Sequence, residues 1–332
     1  MKELIKKLTE TYGPSGREEK IREVIRAEIE GLADEIRVDA LGNLIALKRG
    51  KGGGKKVMLA AHMDEIGIIV THVDEKGFLR FAPVGGVRPL TLLGGRVSFA
   101  DGTIGTIGME KREPEEEKKI PSIDKLYLDV GAVDKDSVPV EVGDIACFQR
   151  PFVAQGDRII AKALDDRAGC AVLIQVMREL RETPHDVYFV FSVQEEVGLR
   201  GAITSTYGIQ PDLGLSVDVT RTGDTPEAHT MAVSLGKGPA IKVKDRGMLA
   251  HPGVKNLLVR TAEELGIPYQ LEVLERGTTD AMVIQVSREG VPAGCVSIPC
   301  RYIHTPSEMV DYNDMANAVK LLVALLSKPI EL

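Results

Sequence analysis

The side chains able to do chemistry collect where apolar runs stop. His62 and Asp64 follow "VMLAA", Asp165 and Asp166 follow "RIIAKAL", and Glu195 and Glu196 follow "VYFVFSV". Asp218 lies in "GLSVDVT", and His304 comes just after "CVSIPCRYI". Two histidines and several carboxylates at separate strand ends are the donor set of an N/O-ligated divalent metal site. Adjacent glutamates there are costly, because like charges repel and each loses solvation as the strand end is covered. A nearby cation offsets that cost. On an extended segment successive side chains point to opposite sides, so Glu195 and Glu196 are expected to diverge. One can then ligate while the other reaches the water or substrate on the metal. The same period puts His62 and Asp64 on one face, where Asp64 can accept the spare imidazole N–H. A metal that acidifies water and polarises a carbonyl, beside a carboxylate that shuttles the proton, is the apparatus of hydrolysis. With a bridging carboxylate the set suits two metals about 3.5–4 Å apart. For the "DD" pair, helix N-capping is the competing structural role, worth about 1 kcal/mol.

The elements that must position these residues follow from pattern. Helices are expected at Lys2 to Tyr12 and Glu18 to Leu32, with Ser15 and Glu18 at capping-box spacing. Two strands flank the glycine-rich "GKGGGK" turn. From Gly67 to about Arg158 short strands recur at turn-rich spacing with no convincing helix, the texture of a small β-barrel or sandwich. Within it "EKREPEEEKK", Glu110 to Lys119, reads as a solvated loop. Strands and helices then alternate to the end, with helices at Asp166 to Arg181, at "PGVKNLLVRTAEELG" and at "NDMANAVKLLVALLS". The fold class is therefore α/β: a mixed, largely parallel sheet sandwiched by helices, interrupted by an inserted β domain. The expected division is 1–67 and 158–332 for the α/β domain and 68–157 for the insertion. In such sheets the ligand crevice lies outside the carboxyl ends of the strands, where these residues fall.

Composition narrows the function classes. The chain has 332 residues, 43 % hydrophobic and 27 % charged, as in an ordinary soluble protein. With 42 basic and 49 acidic residues its net charge is −7, which argues against a general nucleic-acid grip. No apolar run approaches the ~20 residues that span a bilayer. The charged start, "MKELIKKLTETYGPSG", has no apolar core of a secretory signal. Cys147, Cys170, Cys295 and Cys300 lack CxxC spacing and read as reduced, small core residues, which points to the cytoplasm.

Taken together, "AAHMDEIG", "ALDDRAG", "VQEEVGLRGA", "SVDV" and "RYIHTPSE" resemble the tetrahedral (TET) aminopeptidases, a family of cocatalytic metallopeptidases that includes glutamyl and deblocking aminopeptidases. The motifs fall in family order across essentially the whole chain. The resemblance implies that His62, Glu196, Asp218 and His304 ligate two metals, usually zinc or cobalt, which Asp165 bridges. It implies that Glu195 is the general base and that Asp64 orients His62. It also implies a PDZ-like insertion used in dimerisation, a hollow homododecamer, and short peptides as substrates. The segment "RGTTDA" resembles the family's "GGTDA", with Arg276 and Thr278 near positions often held by glycine.

The leading expectation is a metal-dependent aminopeptidase. The alternative is a carboxypeptidase, dipeptidase or N-acyl deacylase using the same dinuclear site. Glycoside hydrolysis fails, because sequential glutamates cannot flank one glycosidic bond at the ~5–9.5 Å required. A metal-stabilised assembly protein without catalysis is disfavoured, since every expected ligand and the base are present. For Arg221, Arg246 and His251 a surface or interface role is expected.

Overall fold

Each central strand is buried on both faces, and this dictates the layering. In a computed structural model describing residues 1–113 and 118–332, Val57 to Ala60 of the strand Lys56–His62 are fully buried. The strands of the α/β part are β1 (Glu35–Val38), β2 (Leu44–Lys48), β3 (Lys56–His62), β10 (Val153–Gln155), β11 (Arg158–Ala161), β12 (Asp186–Ser192), β13 (Leu213–Thr220), β14 (Ala240–Lys244), β15 (Gln270–Val273), β16 (Ala293–Arg301) and β17 (Glu308–Asp311). They form one eleven-stranded sheet in the order β1-β2-β12-β3-β13-β16-β17-β11-β10, with β14 and β15 branching from β16. The sheet is mixed. Its parallel part is central, β12-β3-β13-β16, and the flanking strands run antiparallel. The reason is short connections: the β1–β2 hairpin closes on Asp39, whose carboxylate accepts the N–H groups of Leu41, Gly42 and Asn43.

Helices α1 (Lys2–Glu10), α2 (Glu19–Ile29), α3 (Leu164–Glu179), α5 (Pro252–Glu264) and α7 (Tyr312–Leu326) cover one face. Helices α4 (Arg200–Ile209) and α6 (Ala281–Gln285) cover the other. The helix expected to begin at Asp166 spans Leu164–Glu179, with Asp165 and Asp166 non-helical inside it. The Ser15–Glu18 capping box does not form. Ser15 Oγ instead donates to Asp64 Oδ2 at 2.6 Å, and Glu18 accepts from the N–H groups of Gly16 and Gln194. Tertiary partners outcompete the local ones.

The inserted segment is a closed antiparallel barrel, β4-β5-β8-β7-β6-β9, built from β4 (Gly67–Val73), β5 (Leu79–Val84), β6 (Arg96–Phe99), β7 (Ile104–Met109), β8 (Leu126–Asp129) and β9 (Ile145–Phe148). Its own core includes Ile68, Val70, Leu79, Phe81, Val97 and Phe148. Tyr12 donates its hydroxyl to Ile145 O at 2.8 Å, and the buried Lys162–Glu65 pair closes at 2.6 Å, tying barrel to sheet. Of the charged loop Glu110 to Lys119, Pro114 to Glu117 lie outside the described residues, while Glu110 pairs with Arg80 and Lys125. All four cysteines are buried and none forms a disulfide.

Candidate metal centre

Parallel register sets the floor of the site. Ser192 of β12 pairs with His62 of β3, so both strands end at one level, and β13 carries Asp218 beside them. The two carboxylates of Asp165 and Glu196 and the two imidazoles meet there. His62 Nε2 lies 3.0 Å from Asp165 Oδ1, and His304 Nε2 lies 3.2 Å from Asp165 Oδ2 and 3.2 Å from Glu196 Oε2. Asp165 therefore spans two imidazoles with its two oxygens. Glu195 Oε2 stands 3.9 Å from His62 Nε2. Donor atoms of His62, Asp165 and Glu196 fall within 4.8 Å of one another, as do those of His62, Asp166 and Asp218. Every site residue marked in the sequence converges here.

Divergence of the glutamate pair comes from a turn rather than from strand alternation. The strand stops at Ser192 and the chain reverses through Gln194 at φ +55°. Asp64 holds that turn: its Oδ1 accepts from Glu195 N at 3.0 Å and its Oδ2 from Glu196 N at 3.3 Å. Glu195 is thereby aimed at His62 and Glu196 at His304. Asp64 also faces the other side of His62, whose Nδ1 lies 3.1 Å from Asp64 O and 3.4 Å from Oδ1. With Nδ1–H donated to Asp64, the Nε2 lone pair is presented to the pocket. The "DD" pair splits its roles. Asp166 caps, accepting from Gly169 N at 2.9 Å and from His62 N at 3.2 Å, whereas Asp165 makes no cap and turns to the imidazoles.

Other residues hold this shell and were not marked beforehand. Glu308 accepts Asp165 N and His304 N, each at 2.9 Å, one with each oxygen. It clamps the two residues on which the bridge depends. Asp280 accepts from Ser192 Oγ at 2.5 Å, and its second oxygen is buried without a partner among the described residues. The barrel reaches the site as well. A Cβ built on Gly86 would sit 2.2 Å from His304 Nδ1, so only glycine lets the β5 exit loop pack on that ring. Arg221, assigned to surface or interface, lines the pocket instead.

Electrostatics fit a cation. Burial, together with the charges of Asp218, Glu196 and Asp280, pushes the Glu195 carboxyl well above the usual range despite His62. Burial and Asp165 push Asp218 up to about 8, and burial and Asp165 raise Glu196. Burial works against a charged His304, yet Asp165 and Glu196 raise it to about 11. Burial also opposes ionised Asp165, but His304 and His62 hold its carboxyl below the ordinary range. Buried carboxylates crowded against two imidazoles, with Lys242 acting on Asp218, form a site short of positive charge, which a divalent metal on these N and O donors would supply. The pocket above has a volume of about 310 Å³ and is closed by Thr220, Arg221, Leu274 and the segment Arg276–Thr279.

Residues 42–321 match the family model described as M42 glutamyl aminopeptidase. A lysyl aminopeptidase of Pyrococcus furiosus is 38 % identical, over 98 % of this chain and 96 % of its own. Among solved structures, aminopeptidase APDkam598 from the archaeon Desulfurococcus kamchatkensis is 45 % identical with a TM-score of 0.94, covering 98 % of this chain and 94 % of its own. The TET1 peptidase of Pyrococcus horikoshii, which can assemble into a tetrahedron or a large octahedral shell, is 34 % identical with a TM-score of 0.88, covering 98 % of this chain and 99 % of its own.

Proposed function

Because the chain belongs to the M42 glutamyl aminopeptidase family, we propose that this peptidase is a metal-dependent aminopeptidase of short peptides with Glu195 as its general base. The observation that carries the reading is Asp165, one oxygen on each imidazole, with Glu195 alongside. His62, Asp165, Glu196, Asp218 and His304 would hold two divalent cations, zinc or cobalt, as the chemistry of the donors fits. Bound there, such ions lower the pKa of water and polarise the scissile carbonyl.

The protein's own groups supply the rest. Glu195, its carboxyl raised by burial and like charge, stands where it can take a proton from the attacking water and return it to the departing amine. Asp64 fixes where that carboxylate stands through the backbone of the turn, and fixes the His62 tautomer from behind. The surplus of carboxylates favours a substrate that arrives with an α-ammonium group. The pocket of about 310 Å³ suits one residue at a time. Kinship with a shell-forming peptidase supports a homo-oligomer for this chain, a tetrahedral dodecamer in our reading. Buried unpaired cysteines support a cytoplasmic setting. Among the described residues no helix is long and apolar enough to cross a membrane.

The test is a panel of aminoacyl-p-nitroanilides and matching N-acetylated peptides, run on chelator-stripped protein with and without zinc or cobalt. Cleavage confined to free-amine substrates and restored by metal is expected. Cleavage of blocked substrates, or none after reconstitution, overturns the reading in favour of a deacylase or carboxypeptidase. Light scattering of the purified protein reads the assembly.

A further inference from the structure

Above the acidic floor the sign of the charge reverses. Two arginines line the mouth of the pocket, and a third stands close enough to Arg221 to act on its charge. Arg221 follows the last residue of β13, Arg276 lies in the loop after β15, and Arg88 follows the barrel loop that packs on His304 through Gly86. Arg221 and Arg276 each line both the reaction pocket and an adjoining cavity of about 420 Å³. Among the described residues none of the three pairs with a carboxylate or gives its guanidinium N–H groups to an acceptor, although other arginines do so. Asp224, three residues beyond Arg221, is already engaged bidentately by Arg301. The segments that carry the arginines are anchored. Thr220 donates to the buried Glu272 at 2.6 Å, Thr278 donates to Asp245 at 3.2 Å, and Arg246 N donates to Gly277 O at 3.1 Å.

Three cations held near one another repel. The Arg221 guanidinium is held below its ordinary value by burial and by the charges of Arg88 and Arg276, and Asp165 is the anion that acts against this. Such an arrangement attracts an anion, and a planar carboxylate is the match for a guanidinium fork. The floor calls for an ammonium group and the rim for a carboxylate, which is the charge pattern of a short peptide.

We propose that Arg221 and Arg276 form a carboxylate-binding site that sets which peptides this enzyme prefers. This rests on the aminopeptidase reading and adds a second recognition point to it. Two groups of a short peptide carry the required chemistry: an acidic side chain on its N-terminal residue, and the C-terminal carboxylate of a di- or tripeptide. The cavity that shares Arg221, Leu274 and Arg276 with the pocket lets a peptide extend past the first residue.

Two substrate pairs separate the sources. Metal-reconstituted full-length enzyme is assayed on Leu-Gly-Gly against Leu-Gly-Gly-amide, and on glutamyl- against glutaminyl-p-nitroanilide. The acidic member of at least one pair is expected to have kcat/KM about tenfold higher or more, the scale of a charge-assisted hydrogen bond. The pair that shows the preference names the carboxylate. In the Arg221→Gln/Arg276→Gln double variant that ratio should collapse to within about twofold of unity. Arg→Lys at both positions keeps the charge but loses the fork, and should restore part of the ratio. A wild-type ratio of one or less in both pairs overturns the site, as does a ratio unchanged in the double variant. Failure to cleave any of the four substrates instead sinks the aminopeptidase reading itself.

Discussion

At the floor of the pocket His62, Asp165 and Asp218 are each less than a tenth exposed, and backbone N–H groups or carboxylates fix the turns that present them. At the rim Arg88, Arg221 and Arg276 are exposed, and among the described residues no acid pairs with them. The floor concentrates buried charge that the fold tolerates only with a compensating cation, and its second layer is correspondingly dense. The rim keeps its charges hydrated, where an unpaired guanidinium costs little and waits for a ligand. A buried charge is costly when its partner is removed, whereas an exposed one is worth little until something desolvates it. Changes at the floor should therefore cost far more than changes at the rim, and should cost turnover rather than preference.

Glu195→Gln is the sharpest way to break that comparison. If Glu195 moves the proton, kcat/KM on a free-amine substrate should fall about 10³-fold or more, while bound metal measured by atomic emission and the assembly stay as in wild type. A fall of less than about tenfold would remove Glu195 from the role of base. Next in size is Gly86→Ala. Its Cβ would sit 2.2 Å from His304 Nδ1, so either the barrel loop or the ring must move. Misplacement of a ligand on the scale of 1 Å costs about 100-fold, and the loss should appear in kcat/KM with the barrel still folded by circular dichroism. An unaffected enzyme would show that the barrel does not set the position of His304.

Glu308→Gln asks whether the layer behind the ligands matters as much as their burial suggests. The amide keeps one acceptor and loses the other, so either Asp165 N or His304 N is left without its partner. Metal affinity, titrated by calorimetry or a competing chelator, should weaken about 10–100-fold, with a matching loss of activity at low metal. Saturating metal should recover most of that activity, which separates holding the ligands from doing the chemistry.

The same contrast explains what could be read from the chain alone. His62, Asp165, Glu195, Glu196, Asp218 and His304 were legible because each follows an apolar run, and a parallel sheet brings such ends to one edge. Glu308 was not, although it lies four residues beyond His304 within "RYIHTPSE". Its partner Asp165 is 143 residues away, and the pairing of β17 with β11, which sets Glu308 opposite Ala161, brings them together. Nothing in the local sequence marks Gly86, because its purpose is closeness to a ring contributed from the far end of the chain. Ser15 and Glu18 had the spacing of a local cap, but Ser15 donates to the distant Asp64 and Glu18 accepts from the distant Gln194 N–H instead. The mixed character of the sheet was legible at its centre, and the antiparallel flanks followed from hairpins too short for crossovers. Local pattern thus locates donors, and the groups that aim them depend on contacts no local pattern carries.

Glu18 offers the smallest effect and the cleanest separation of position from charge. Its carboxylate is 4 % exposed, accepts from Gly16 N at 2.7 Å and Gln194 N at 3.2 Å, and so ties the N-terminal segment to the turn that carries Glu195. Burial first, and then the charge of Asp64, raise its carboxyl from 4.5 to about 7. A carboxyl raised in the folded state stabilises the fold while it stays protonated. That contribution is complete below about pH 4.5 and is lost as pH rises through about 7. The interval, at 1.36 kcal/mol per pH unit, amounts to about 3 kcal/mol in full and to about 2 kcal/mol between pH 5 and 8. Glu18→Gln keeps the acceptor and cannot ionise. Denaturant unfolding at fixed metal should show wild type losing about 2 kcal/mol more than the variant over that window. With its acceptor intact, the variant should keep its activity near pH 6 within a few-fold. A parallel decline of both proteins with pH would mean that Glu18 is already ionised and carried by its two backbone donors, and the turn beneath Glu195 would then be held by charge rather than by a neutral hydrogen-bonded acid.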